Sequence, residues 1–113
     1  MSQLEDEIRE GQARAERLFY DMLTFWRANV PPDEHGWTAE SLEDFMLGDG
    51  AGGPIEEMCY EIAEANILAP DDLYERILRR FDTEGDPFSS EFDENGEALF
   101  VRQQQALRQA TTA

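Results

Sequence analysis

The sequence predicts a mainly α fold, a compact bundle of about five helices in a single acidic domain that spans residues 1–113. Apolar residues recur at steps of three and four through most of the chain, which is the spacing of helices that bury one face. Hydrophobic residues make up 41% of the chain, so it can bury a core despite its high charge. Prolines and glycines interrupt the periodic segments and mark the ends of the helices.

The first predicted helix covers residues 3–29 and contains the densest apolar segment of the chain. Seven of the nine residues in Leu18–Trp26 are apolar, so we expect this half of the helix to be buried on more than one side. Gly11 is the weakest helix former in the other half. Pro31 and Pro32 end the helix.

Two shorter helices are predicted next, each with a recognisable start. Thr38 suits the N-cap position of the second helix, which glycines from Gly48 onward stop. Pro54 suits the first position of the third helix, and Asn66 suits a left-handed residue at its end. The apolar face of the third helix consists of Ile55, Met58, Cys59, Ile62 and Ala63.

The fourth helix is predicted to begin near Asp71 and the fifth near Glu97. In the fourth, acids precede arginines by four residues, a spacing that stabilises a helix, at Asp72–Arg76 and Glu75–Arg79. The segment before the fifth helix fits two structures, because Asn95-Gly96 between apolar residues is also typical of a two-residue β-hairpin. We favour a loop followed by a helix, with a short hairpin as the alternative, and we expect the last few residues to fray.

The charge of the chain limits the classes of partner that it can bind. The chain has 26 acidic residues against nine arginines and no lysine, which gives a net charge of −17. The excess is concentrated in residues 28–75, with thirteen acids and no basic residue, and in residues 82–97, with seven acids and no basic residue. A field of this sign repels nucleic acids and anionic membranes, so partners held by their phosphates are excluded.

No motif predicts a catalytic centre, a cofactor or a metal ion. The glycines of residues 48–53 match a dinucleotide-binding pattern, but acids flank them where a pyrophosphate would bind, so they predict a turn between helices. A calcium loop around Asp93–Gly96 would place Arg102 where a chelating glutamate is required. His35 is the only histidine, and no nucleophile accompanies it in sequence. We therefore expect a protein that is not an enzyme.

The sequence also predicts a cytoplasmic protein. Its first ten residues are acidic and have no apolar core of the kind that a secretory signal contains. Its longest dense apolar stretch is far shorter than the roughly 20 residues that span a bilayer.

The acids of the middle segment are the candidate partner-binding residues. Like charges at helical spacing destabilise a helix, and no arginine stands nearby in sequence to relieve them. We therefore expect a basic partner, a nuclease or another nucleic-acid-binding protein, whose lysines and arginines these carboxylates engage as a phosphate backbone would. Inhibitors of restriction and CRISPR nucleases, from phages and mobile elements, act in this way as a class. The candidate residues are Asp33, Glu34, Glu40, Glu43, Asp44, Asp49, Glu57, Glu61 and Glu64.

Three other functions fit the same sequence. An antitoxin or immunity protein would also use an acidic surface. An interaction subunit would instead pair through an apolar helix face, for example as a homodimer through Leu18–Trp26, with an acidity that reflects adaptation to salt. An enzyme or metal site built on carboxylates is the third alternative, and it requires acids that converge in a pocket.

Overall fold

A computed structural model describes residues 3–112, with the side chains of residues 111 and 112 excepted. Within this range the chain forms five α-helices and no strand, so the predicted all-helical bundle is confirmed. The helices are α1 (Gln3–Asn29), α2 (Ala39–Asp49), α3 (Gly52–Glu64), α4 (Asp71–Glu84) and α5 (Gly96–Thr112), and a short 3-10 helix (Ser90–Phe92) precedes α5.

The C-terminal segment takes the predicted loop and helix, and the alternative hairpin at Asn95-Gly96 does not form. Asn95 instead starts α5, because its side-chain oxygen accepts a hydrogen bond from the Ala98 amide at 3.0 Å. Gly96 is already helical, so the Asn-Gly pair serves as a helix start rather than a turn. The helix extends to Thr112, and Ala113, where fraying was also expected, lies outside the described residues.

The other helix ends follow the local chemistry of the sequence. Thr38 caps α2 through a reciprocal pair, in which its hydroxyl accepts from the Ser41 amide at 3.0 Å and the Ser41 hydroxyl accepts from the Thr38 amide at 2.8 Å. Asn66 follows α3 with a φ of 56°, the predicted left-handed conformation. Only Gly50, with a φ of 93°, and Ala51 separate α2 from α3, so the predicted turn is confined to these two residues. The helix α2 continues through Gly48 to Asp49, past its predicted stop, and α3 begins at Gly52, two residues before Pro54.

The core is built around α3, which packs against α1, α2 and α5. Its predicted apolar face is buried at Ile55, Met58, Cys59 and Ile62. Burial raises the pKa of the Cys59 thiol well above its ordinary value, as expected for a small core residue. The helices α1 and α5 contribute large side chains to the same cluster, among them Phe19 and Phe100.

Helix α1 has two halves with different surroundings. Most apolar side chains of Leu18–Trp26 are buried in the chain's own core, and Tyr20, Asp21 and Thr24 of this segment face outward. Residues 3–12, by contrast, are exposed throughout. A helix of 27 residues is about 40 Å long, longer than two of the three dimensions of the molecule, which are 51, 33 and 24 Å, so its first turns extend past the core.

The loop between α4 and α5 is fixed by one arginine. The Arg102 guanidinium donates to the backbone carbonyls of Pro87 and Ser89 and pairs with Asp93 at 3.0 Å. The residue that rules out a calcium loop therefore holds this loop against α5.

No helix in residues 3–112 combines the length and the apolar composition that crossing a membrane requires.

Candidate partner-binding surface

Three of the candidate acids follow one side of α3. Glu57, Glu61 and Glu64 stand at i, i+4 and i+7 and cover about 10 Å of the helix axis, or about one charge every 5 Å. One strand of a DNA duplex carries a phosphate about every 3.4 Å of its axis. The charge density along this side of α3 is therefore about two thirds of that along a single nucleic-acid strand.

Asp33 joins this row from the loop between α1 and α2. Its carboxylate accepts a hydrogen bond from the His35 amide at 3.1 Å, and its carbonyl accepts from Gly36 at 3.0 Å, so it starts a tight turn. The two prolines that end α1 direct the chain into this turn. Asp33 lies close enough to Glu61 for its charge to raise the pKa of that carboxyl.

Glu61 is the best-defined of these acids, because it is half-buried and tied to α1. Burial raises the pKa of its carboxyl, and the charges of Glu57 and Asp33 raise it further. The indole N–H of Trp26 donates to Glu61 at 3.0 Å and opposes that rise by stabilising the ionised form. A positive charge placed beside Glu61 would therefore offset both the cost of burying its carboxylate and the repulsion from Glu57 and Asp33.

Aromatic rings form the walls around these acids. Asp33, Glu61 and Glu64 line a hollow of about 360 Å³ together with Trp26, Trp37 and Tyr60. Trp37 is half-buried and stacks on Phe45 of α2, with the ring centroids 5.5 Å apart and an interplanar angle of 17°. Its position is therefore fixed before any partner arrives. Carboxylates and aromatic faces both attract a guanidinium or an ammonium group, so this hollow suits such a cation.

A second acidic hollow continues around α3 from the first. It has a volume of about 270 Å³ and is lined by Tyr60, Glu56, Glu57 and Glu94. Tyr60 borders both hollows, and the charge of Glu64 is the main cause that raises the pKa of its hydroxyl. Glu56, on α3 itself, and Glu94 are acids of this surface that were not among the sequence candidates. Glu94 could not be placed from sequence spacing, because only the fold brings the loop before α5 against α3.

The remaining candidate acids do not line either hollow. Glu43 accepts a hydrogen bond from the Tyr20 hydroxyl at 2.9 Å and so links α2 to α1. Glu34 is exposed in the loop after Asp33. The other three, Glu40, Asp44 and Asp49, are exposed along α2.

None of the nine candidate acids belongs to an ion pair within residues 3–112. The acids that pair with arginines in that range stand elsewhere, mainly on α1, α4 and the start of α5. They include Asp6, Asp21, Asp71, Asp72, Glu75, Asp93 and Glu97. Six arginines thus neutralise acids in another part of the molecule, and the carboxylates along α3 have no such ion pair within residues 3–112.

The carboxylates are close enough to share a hollow but are not arranged as a chelating set. Within the described part of the chain, no group of three or more His, Cys, Asp and Glu side chains could hold a metal ion.

No family model, curated protein or solved structure matches the chain.

Proposed function

We propose that this protein binds a basic, nucleic-acid-binding protein without catalysing a reaction, and blocks it by presenting carboxylates where the partner would otherwise bind phosphates. A nuclease of a restriction or CRISPR system is the kind of partner that this surface suits. The observation that carries the proposal is the hollow in which Asp33, Glu61 and Glu64 converge beside Trp37 and Tyr60.

The hollow is suited to an arginine or lysine side chain of the partner. Its carboxylates can accept hydrogen bonds from a guanidinium, and its rings can stack on the planar group. Trp37 and Trp26 are already held by Phe45 and Glu61, so binding orders few side chains. Beyond the hollow, Glu57, Glu56 and Glu94 extend the negative surface along α3.

The whole-molecule charge favours the same partner. With a net charge of −17, the chain attracts a positively charged surface over a long range and repels nucleic acid. Association is therefore expected to be fast at low salt and to slow steeply as salt rises. An immunity protein that inhibits a nuclease toxin would use the surface in the same way, and the identity of the captured partner distinguishes the two cases.

The experiment is capture of proteins from a host lysate on the immobilised chain at low salt, followed by elution with duplex DNA. We expect basic nucleic-acid-binding proteins to be retained and to be released by the DNA, since both ligands compete for one surface. The variant Asp33→Asn/Glu61→Gln/Glu64→Gln should bind the captured partner at least about tenfold more weakly, a loss of about 1.4 kcal/mol.

The matched control is Asp82→Asn/Glu84→Gln/Glu91→Gln, which removes the same charge from exposed positions outside the hollow. It should leave the affinity almost unchanged. Retention of no basic protein would refute the proposal, as would equal weakening by the control, because the charge would then act without the hollow.

A further inference from the structure

A groove between α1 and α4 differs in charge from the rest of the surface. It has a volume of about 340 Å³, and Gly11, Ala15 and Leu18 supply its small and apolar lining. Four of the nine arginines line it as well, namely Arg14, Arg76, Arg79 and Arg80. A strongly acidic protein thus gathers nearly half of its positive side chains around one groove.

The exposed end of α1 has the complementary chemistry. Leu4 and Ile8 are 64% and 53% exposed and continue the apolar side of the helix beyond the core. Residues 3–10 also contain four acids and one arginine, for a net charge of −3. Three of the groove arginines already pair with acids of the same molecule, Arg76 with Asp21, Arg79 with Glu75 and Arg80 with Glu97. Arg14 belongs to no ion pair within residues 3–112, so it is the groove arginine whose charge is available to the acids of an exposed α1.

The chain's own α1 cannot fill this groove with its first turns. Leu4 lies seven residues before Gly11 on a single continuous helix, about 10 Å further along the axis and away from the core. Only another molecule can bring such a segment back to the groove. We propose that this molecule is a second copy of the chain, whose α1 crosses the first in the antiparallel direction near Gly11.

The spacing along α1 fits a twofold axis at that point. Leu4, Glu7, Gly11, Arg14 and Leu18 follow each other at steps of three and four, so they share one side of the helix. An antiparallel crossing midway between Glu7 and Arg14 places each Glu7 beside the Arg14 of the other copy. It also brings each Leu4 to the end of the other groove that Leu18 lines, as a symmetric interface requires.

Gly11 permits the close approach that such a crossing needs. A Cβ atom at this position would have no neighbour within 4 Å inside the molecule, so its open side faces solvent. Without a side chain here, two helices can pack with their backbones near each other. The −17 charge of each copy opposes association at long range, but physiological salt screens it beyond about 8 Å and leaves the close pairs in place.

The first test is sedimentation equilibrium of the full chain from micromolar to millimolar concentration at physiological salt. A contact of about four helical turns is small for a protein interface, so we expect a weak dimer that dissociates on dilution. Leu4→Ser/Ile8→Ser changes only exposed positions and should raise the dissociation constant at least about tenfold. A monomer at every concentration, or a dimer that this variant leaves unchanged, would overturn the proposal and assign the groove to another occupant.

The second test is cross-linking through Gly11→Cys, which adds an exposed thiol to a chain whose natural Cys59 is buried. Near a twofold axis, position 11 meets its own counterpart, so oxidation by a copper–phenanthroline complex should give a disulfide-linked dimer. Gly48→Cys is the matched control, because Gly48 is also an exposed helical glycine with open space around it. Equal cross-linking of both variants would contradict the crossing.

A charge exchange tests the register. Glu7→Arg alone and Arg14→Glu alone should each weaken self-association, since each puts like charges together twice in the symmetric dimer. An equal mixture of the two variants should associate again, because the mixed dimer has an opposite charge at both contacts. Failure of the mixture to associate more tightly than either variant would rule out this register.

Discussion

Gln104 is the side chain on which the segment between α3 and α4 most depends. It is fully buried, and its amide oxygen accepts from the Ala69 amide at 2.8 Å while its amide nitrogen donates to the Ile67 carbonyl at 2.7 Å. Arg108 donates to the same oxygen at 2.8 Å and also to the Ala69 carbonyl at 3.0 Å. The two side chains together replace the hydrogen bonds that this loop cannot make within a helix.

The variant Gln104→Leu should therefore be less stable than the similar sizes of the two side chains suggest. The volume stays similar, but the buried Ala69 amide loses its partner, at a cost of about 1–3 kcal/mol. The Ile67 carbonyl keeps the longer hydrogen bond from Gln103 at 3.2 Å. We expect a loss of about 1–4 kcal/mol in the free energy of unfolding, measured by urea denaturation. Gln105→Leu, one residue further on the same helix, should change it by no more than about 0.5 kcal/mol. Similar losses for the two variants would contradict the role of Gln104.

At the scale of the helices, the closest approach is that of α5 to α3. A Cβ atom on Gly96 would collide with the Glu56 carbonyl oxygen and lie 3.1 Å from the Cβ of Tyr60. The Gly96 amide also donates to the Glu56 carboxylate at 3.2 Å. The absence of a side chain here sets the distance between the two helices and, with it, the second acidic hollow.

Gly96→Ala should consequently separate α5 from α3. The added methyl group meets backbone rather than a flexible side chain, so we expect a loss of about 1–3 kcal/mol in the free energy of unfolding. Gly48→Ala should instead gain about 0.5–1 kcal/mol, because alanine has a higher helix propensity than glycine and its methyl group would meet no atom within 4 Å. Thermal denaturation followed by circular dichroism measures both. A stabilising Gly96→Ala would show that the helices are not in contact there.

The helices themselves were predictable, because their signals are local. Thr38 needs only Ser41 to cap α2, and Asn66 needs only its own backbone to end α3. The candidate surface was predictable in part, since the α3 acids stand at helical spacing. The contact of this surface with α1 was not predictable, because the hydrogen bond from Trp26 to Glu61 joins residues 35 positions apart. Gln104 could not be found either, because one of three consecutive glutamines in the middle of a helix gives no sign of burial.

For the molecule as a whole, the arginines act as links between helices. Arg76 joins α4 to Asp21 of α1 at 2.7 Å, and Arg80 joins α4 to Glu97 of α5 at 3.1 Å. Because these cations are used within the fold, the acids of the α3 surface keep their charge for a partner. The division of charge between structure and surface therefore supports the proposed function better than the net charge alone does.

The pair of Arg80 and Glu97 makes the stability of the whole molecule depend on pH. Glu97 is only 4% exposed, and burial raises the pKa of its carboxyl despite the opposing effect of Arg80. Burial also raises the pKa of the Glu61 carboxyl. A carboxyl whose pKa is higher in the folded state binds more protons there, so folding is favoured at acidic pH and this advantage is lost as pH rises through the raised value.

We therefore expect the free energy of unfolding to fall as pH rises above the ordinary glutamate value of 4.5, with a slope of at most about 1.4 kcal/mol per pH unit for each proton involved. Glu97→Gln removes one titrating group and should flatten this slope, even if the loss of its charge beside Arg80 shifts the whole curve. Glu91→Gln, at an exposed position in the loop before α5, should keep the slope of the unmodified protein. Urea denaturation at pH 5, 6 and 7 measures all three proteins. A stability that rises towards pH 7, or a slope that Glu97→Gln leaves intact, would mean that burial of this carboxylate costs the folded protein nothing.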